Sequence, residues 1–246
     1  MKNLLTLCSV ALLTTGCMST TASTIPYAID SNTLPQNYAY ITDPTGTFEK
    51  VHAFQFKDKC GSAGDCKENS VRSEIFEEVW EDNRPGEVQP KHYWYSWNVY
   101  LPNNFPVQDT GKLLLGQFHN GHCPHISFTS RGGEDNGTLH LETMRINGDD
   151  CRATTRIPFA NIQDLKGKWT NFTIEIKWKN NDTGLANLWL DNKQVISYNG
   201  ITLTKYRENI NYLKVGIYQC CNEGIIKPGN AMFTTPKSGP TRESVQ

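Results

Sequence analysis

The strongest constraint this sequence places on its fold is a rhythm. About ten short runs rich in β-branched and aromatic residues follow one another between turn signals, and no window keeps an apolar helical period. The runs are Phe48–Phe56, Val71–Val79, Tyr93–Leu101, Lys112–Asn120, His125–Thr129, Thr138–Ile146, Asn171–Trp178, Leu185–Asp191, Gln194–Tyr198 and Tyr212–Gln219. Asp43-Pro-Thr-Gly46, Arg131-Gly-Gly-Glu-Asp-Asn-Gly137, Asn180-Asn-Asp-Thr-Gly184 and Asp191-Asn192 punctuate them, with residues that tolerate the backbone angles of tight turns. A strand buries a face only against another layer, so the expected fold is all-β, two packed antiparallel sheets in a β-sandwich or jelly roll. At 246 residues and 37% hydrophobic the chain can fill one large core, and no internal repeat divides it.

The ends read differently from the middle. Lys2, the apolar run Leu4–Leu13 and the small residues before Cys17 read as an export signal over 1–16 rather than a membrane span. Leu13-Thr-Thr-Gly-Cys17 resembles a bacterial lipoprotein box, which makes Cys17 the expected lipidation site and the N-terminus the expected membrane attachment. Thr14 departs from that motif, so the alternative to an outer-membrane lipoprotein is cleavage nearer Ala22 into a soluble periplasmic or secreted form. Residues 17–36, rich in Ser and Thr, are expected to form a flexible tether, 37–235 the folded domain and 236–246 a frayed tail.

Export makes disulfides the default state of the cysteines. Of the eight, Cys8 leaves with the signal and Cys17 is set aside for lipid, which leaves Cys60, Cys66, Cys123, Cys151, Cys220 and Cys221. The expected pairs are Cys60 with Cys66, across a short Gly-containing loop, and Cys123 with Cys151. A rival metal site at His119, His122, Cys123 and His125 has no paired Cys-x-x-Cys spacing behind it, so no metal is expected. A net charge of −1 and a pI near 6.6 argue against a broad basic surface for nucleic acid, and an anionic ligand needs a local basic cleft.

Three runs carry chemistry on one face each. In Tyr212–Tyr218, Leu213, Val215 and Ile217 form a core face, while Tyr212, Lys214, Gly216 and Tyr218 form a polar one whose glycine lets something approach the backbone closely. Arg72 and Glu74 share a face opposite Val71, Ser73 and Ile75, where a guanidinium fork can be held by the neighbouring carboxylate. Gln117 and His119 project together, opposite Phe118. Each run taken singly also has a bland reading: a solvent-facing strand, a surface salt bridge, a histidine that is only hydrogen-bonded. Three such faces in one chain weigh against all three bland readings at once.

Arg72-Ser-Glu74, Gln117-Phe-His119 and Tyr212-Leu-Lys-Val-Gly-Ile-Tyr218 resemble the signature strands of jelly-roll polysaccharide lyases, a pattern shared by alginate lyases and by the heparin lyase I and glucuronan lyase group. Trp94-Tyr-Ser-Trp-Asn-Val-Tyr-Leu-Pro102, Leu188-Trp-Leu-Asp-Asn-Lys-Gln-Val195 and Tyr198-Asn-Gly200 are similar to strand sequences of the latter group, in the same order. The resemblance spans roughly residues 45 to 220 and lacks the long insertions of the larger heparin lyases.

It implies a concanavalin-like sandwich and β-elimination at a uronic acid. Arg72 and Gln117 would neutralise the uronate carboxylate and stabilise the enolate-like oxyanion. His119, titrating near neutrality, would take the C5 proton, and Tyr218 would protonate the departing oxygen or serve as both base and acid. Lys214 would lower the phenol's pKa and bind an adjacent carboxylate, with Glu74, Tyr212 and Trp94 as further substrate-binding residues. No metal or organic cofactor is needed, with a structural calcium left open; the partner is an acidic polysaccharide, no nucleic acid is involved, and the protein is expected to be a monomer. Two other classes stand beside this one. A noncatalytic glycan-binding module would use Trp94, Trp97 and Trp189 as platforms, and a glycoside hydrolase would need paired carboxylates that Glu74, Glu77 and Glu78 do not supply in the E-x-D-x-x-E form of laminarinase-type strands. Glucuronan, alginate, a heparin-like glycan and a bacterial capsule all offer a uronate.

Overall fold

Alternation along each run decides which side chains are buried. A computed structural model describes residues 27–56, 65, 70–78, 92–147, 150–204, 211–220 and 226–246. In chain order its strands are β1 (Tyr27–Ile29), β2 (Tyr38–Thr42), β3 (Lys50–Phe56), β4 (Val71–Glu77), β5 (His92–Tyr100), β6 (Lys112–His119), β7 (Pro124–Arg131), β8 (Thr138–Asn147), β9 (Asp150–Asn161), β10 (Trp169–Lys177), β11 (Leu185–Leu190), β12 (Lys193–Asn199), β13 (Tyr212–Cys220), β14 (Gly229–Phe233) and β15 (Lys237–Gly239). A seven-stranded sheet runs β1-β4-β13-β6-β7-β8-β9, and an eight-stranded sheet runs β12-β11-β10-β5-β14-β3-β2 with β15 paired to β5. The ladders are antiparallel, as the sequence rhythm predicts.

The two sheets pack their apolar faces together. Tyr95, Trp97 and Val99 of β5 and Phe172, Ile174 and Ile176 of β10 meet Phe118, Ile126, Phe128, Leu213, Val215 and Ile217 from the opposite sheet. Trp97, 1% exposed, stacks on Phe172 at 5.7 Å and meets the edge of Phe128 across the interface at 5.5 Å. Each fully buried side chain of this size contributes roughly 1.5–3 kcal/mol through removal from water.

All ten expected runs are strands, with ends shifted by one or two residues. β9, the longest strand, escaped the sequence reading because it lies at the edge of its sheet, is half exposed, and carries charges and Pro158 where a central strand would carry apolar residues. Described residues near both ends differ from expectation. The segment read as a tether enters the sheet at β1, where Tyr27 faces Glu77 and Ile29 faces Ile75 of β4. The segment read as a frayed tail forms β15 against Ser96 and Trp94, and Val245 beyond it is 2% exposed. The order comes from strand pairing and from burial of Val245, neither of which the local Ser, Thr and Pro content reveals.

Cys123 and Cys151 are joined in a disulfide, with their Cα atoms 5.9 Å apart. It ties the turn between β6 and β7 to the start of β9. Cys17, Cys60, Cys66 and Cys221 lie outside the described residues.

Candidate active site

The residues that the sequence singles out for chemistry sit on β4, β13 and β6, three adjacent strands whose opposite faces are core. Tyr218 pairs in register with Arg72, Gly216 with Glu74, Lys214 with Gln117, and Tyr212 with His119. Directly paired residues share a face, so the polar alternation of three separate runs becomes one patch. Gly216 makes the register possible: at φ +144° it lies where only glycine is comfortable, and a Cβ there would strike the Ser73 carbonyl and sit 2.7 Å from the Glu74 Cα. What approaches this glycine is thus the neighbouring strand β4 rather than a ligand.

Arg72 is fixed by Asp65, whose Oδ1 accepts from Nε at 3.0 Å and from Nη2 at 2.8 Å; Glu74, expected to hold the fork, stands 4.0 Å from Nη1. Glu74 instead accepts from Gln117 Nε2 at 2.8 Å through Oε1, and its Oε2 forms an ion pair with Lys214 Nζ at 3.0 Å. Lys214 also meets Asp30 Oδ2 at 2.6 Å and is 3% exposed. Burial alone would lower the Lys214 pKa, but Glu74 and Asp30 hold it above the ordinary value; Lys214 in turn holds Asp30 below its own, against the upward pull of burial. Lys214 is therefore an internal brace, its ammonium held between two carboxylates. Asp30 and Asp65 went unnoticed in the sequence because neither belongs to an alternating run, and only the three-dimensional pairing brings them in.

His119 differs from expectation in its chemistry. The backbone N–H of Gly121 donates to Nδ1 at 2.9 Å, and the Tyr212 hydroxyl lies 3.1 Å from the same nitrogen. A neutral ring with Nδ1 accepting carries its proton on Nε2. Burial, with Lys214 and Arg72 near, pushes His119 down to about 3, so it does not titrate near neutrality. Tyr212, read as a substrate-binding residue, is the partner that helps hold this ring, and its phenol is raised by burial.

The Tyr218 ring lies under the Arg72 guanidinium, 4.2 Å from ring centre to Cζ. Burial pushes its phenol above the ordinary range, while Arg72 and a hydrogen bond with Ser70 act the other way. Lys214 does not act on Tyr218 as expected, because its charge is committed to Asp30 and Glu74.

Trp94 lies elsewhere. Tyr95, Trp97 and Val99 point into the core, so Trp94 points away from it on the far side of the eight-stranded sheet, where it stacks on Trp189 at 5.2 Å. That outer face also bears a groove of about 620 Å³ lined in part by Ser96, Asn98, Asn171 and Thr173. These side chains bond to one another, Asn171 Nδ2 to Ser96 Oγ at 3.0 Å and Thr173 Oγ1 to Asn171 Oδ1 at 2.8 Å, and among the described residues the lining offers no His, Asp, Glu, Tyr or Cys side chain. Among the described residues, His122, Cys123 and Cys151 have ligand atoms within 4.8 Å of one another, but both sulfurs are engaged in the disulfide.

Comparison with known proteins agrees with the fold. A fungal endo-β-1,4-glucuronan lyase from Trichoderma reesei shares the fold with a TM-score of 0.65 at 15% identity, over 85% of this chain and 88% of that one. Alginate lyase PA1167 from Pseudomonas aeruginosa follows at 0.54 and 15%, over 83% and 88%. The catalytic domain of a glycoside hydrolase family 131 protein from Coprinopsis cinerea reaches 0.52 at 12%, over 86% and 80%, so the fold by itself does not separate lyase from hydrolase. Among curated proteins, none matches the chain by sequence. The family model described as polysaccharide lyase matches residues 20–239, nearly the whole chain and every strand of the polar patch. The chain belongs to the polysaccharide lyase family.

Proposed function

We propose that this lyase cleaves a uronate-containing polysaccharide by β-elimination on the polar face of β4, β13 and β6, leaving a 4,5-unsaturated uronate end. The observation that carries the reading is the convergence of Arg72, Gln117, His119 and Tyr218 on one face, with Arg72 over the Tyr218 ring. The C5 hydrogen of a uronate is weakly acidic until its carboxylate is neutralised and the developing oxyanion is stabilised. Arg72, the second amide hydrogen of Gln117 and the Nε2–H of His119 are donors suited to that task, each worth on the order of 3–4 kcal/mol in a transition state when well aimed. With His119 serving as donor, Tyr218 is left to move protons: its phenolate takes the C5 hydrogen, and the resulting phenol returns a proton to the departing glycosidic oxygen. That requires both to lie on one side of the sugar ring. Arg72 favours the phenolate through its charge, against the effect of burial.

The test is incubation with a panel of polyuronates, following the ultraviolet absorbance of the unsaturated end. Wild-type protein should produce the signal on at least one polymer and Tyr218→Phe should not, while still binding that polymer. A Tyr218→Phe protein as active as wild type would remove Tyr218 from the reaction. Export, lipidation at Cys17 and action as a monomer belong to the same proposal, and the first two rest on the leader segment of the sequence.

A further inference from the structure

The polar patch is not centred on its sheet. Among the described residues, on one side of β4 lies only β1, three residues long; on the other side of β6 lie β7, β8 and β9, each of eight residues or more. A polymer crossing the strands from the reacting site therefore has most of its remaining footprint on those three strands. Gln117 pairs with Ser127, Ser127 with Glu142, and Glu142 with Arg156, so a straight cross-strand row leads from the site to Arg156 on the same face. Three inter-strand steps of ~4.8 Å place Arg156 about 14 Å from Gln117, a few sugar units along a bound chain.

At the end of that row two arginines are held in fixed positions. Glu142, 0% exposed, accepts through one oxygen from Arg156 Nε at 2.7 Å and Arg131 Nε at 3.1 Å, and Asp135 accepts from Arg156 Nη2 at 2.6 Å. Both guanidinium groups keep Nη1 hydrogens beyond these bonds. Their side chains are 27% and 28% exposed, against 4% for Lys214. Among the described residues, these two are held by carboxylates and more open to solvent than Arg72 at 15%, and the rotamer entropy of holding them has already been spent on folding.

Resting on the lyase reading above, we propose that Arg131 and Arg156 form a distal subsite that binds the carboxylate of a uronate several units from the scissile bond. The subsite gives the enzyme its preference for long acidic chains over short oligomers.

Two measurements test this. Uronate oligomers of increasing length should show Arg156→Ala and Arg131→Ala raising KM about tenfold on long chains, with kcat unchanged and the shortest cleavable oligomer unaffected. Arg156→Lys, which keeps the charge and the packing of the stem, should fold normally and lose part of the same length preference. Equal loss on short and long substrates, or no loss on either, overturns the subsite. Separately, migration of Tyr218→Phe protein through gels containing each polyuronate should be retarded, and less so with Arg156→Ala added. Retardation without cleavage by the wild type would sink the lyase reading and leave the subsite to be judged by the arginine variants. If no polyuronate retards the protein, the subsite is refuted.

Discussion

The Cζ of Arg72 lies over the ring of Tyr218, 4.2 Å from its centre, while Asp65 accepts from its Nε and Nη2. One cation thus has two tasks, to neutralise the substrate and to tune the phenol. Arg72→Ala should reduce kcat/KM by about 100- to 1000-fold. It should also move the alkaline limb of the pH profile upward, since a charge that lowers the Tyr218 pKa is gone. A reduced rate with an unmoved limb would confine Arg72 to substrate binding.

The tautomer of His119 makes a second prediction. With Nδ1 accepting from Gly121 and the ring pushed down to about 3, kcat/KM should show no inflection between pH 5 and 8 from this residue and should climb toward alkaline pH with the phenolate. His119→Asn keeps an amide donor and should lose less activity than His119→Ala, which should fall about 100-fold. Equal and near-total losses, with an inflection near 6.5, would make His119 the base.

Asp30 braces the site from outside the three signature strands. Removing it leaves Lys214 buried with one carboxylate instead of two, so Asp30→Ala should cost about 2–3 kcal/mol in denaturant unfolding and weaken turnover through displaced Gln117. Because the folded-state pKa of Asp30 is lowered, its stabilisation is present above the unfolded value and is lost as pH falls through the folded one. The wild type should therefore lose stability on acidification below about pH 4 more steeply than Asp30→Asn. Identical acid profiles would show that the pair does not contribute.

The disulfide supplies a fourth. Closing a loop with a sequence separation of 28 should contribute about 3–4 kcal/mol, measured by comparing the Cys123→Ser, Cys151→Ser double variant with wild type. Its turn also carries Gly121, so the double variant should lose activity at temperatures where it is still folded. Full activity there would separate the two roles.

Membrane attachment is checked by fractionation: Cys17→Ser should move the protein from the membrane to the soluble fraction without changing its melting temperature. A wild-type protein already soluble after export would rule out lipidation.

What the sequence made legible is what alternation encodes. Leu213, Val215 and Ile217 against Tyr212, Lys214 and Tyr218 could be sorted to two faces by counting in twos, and the same count placed Arg72 with Glu74 and Gln117 with His119. Counting in twos cannot say which strand of a sandwich belongs to which sheet. Trp94 alternates correctly with Tyr95 and still lies on the wrong side of the molecule, because β5 joined the other sheet. Nor can it find Asp30 or Asp65, whose roles depend on where the chain crosses the patch, or foresee that a backbone amide would occupy the acceptor nitrogen of His119. Partners drawn from loops set the protonation chemistry, and loop geometry leaves no period in the sequence.

β13 lies between β4 and β6, which both precede it by much of the chain and are not neighbours without it. Before β13 is seated, the more than four-fifths of the chain ahead of it can pair strands and bury rings, yet the two halves of the polar face remain apart. Pairing over such distances is slow compared with local structure. On the proposed site, activity therefore arrives in one step, with the seating of a single late strand, and a chain cut short before Tyr218 should be no weaker version of the enzyme but a scaffold without one.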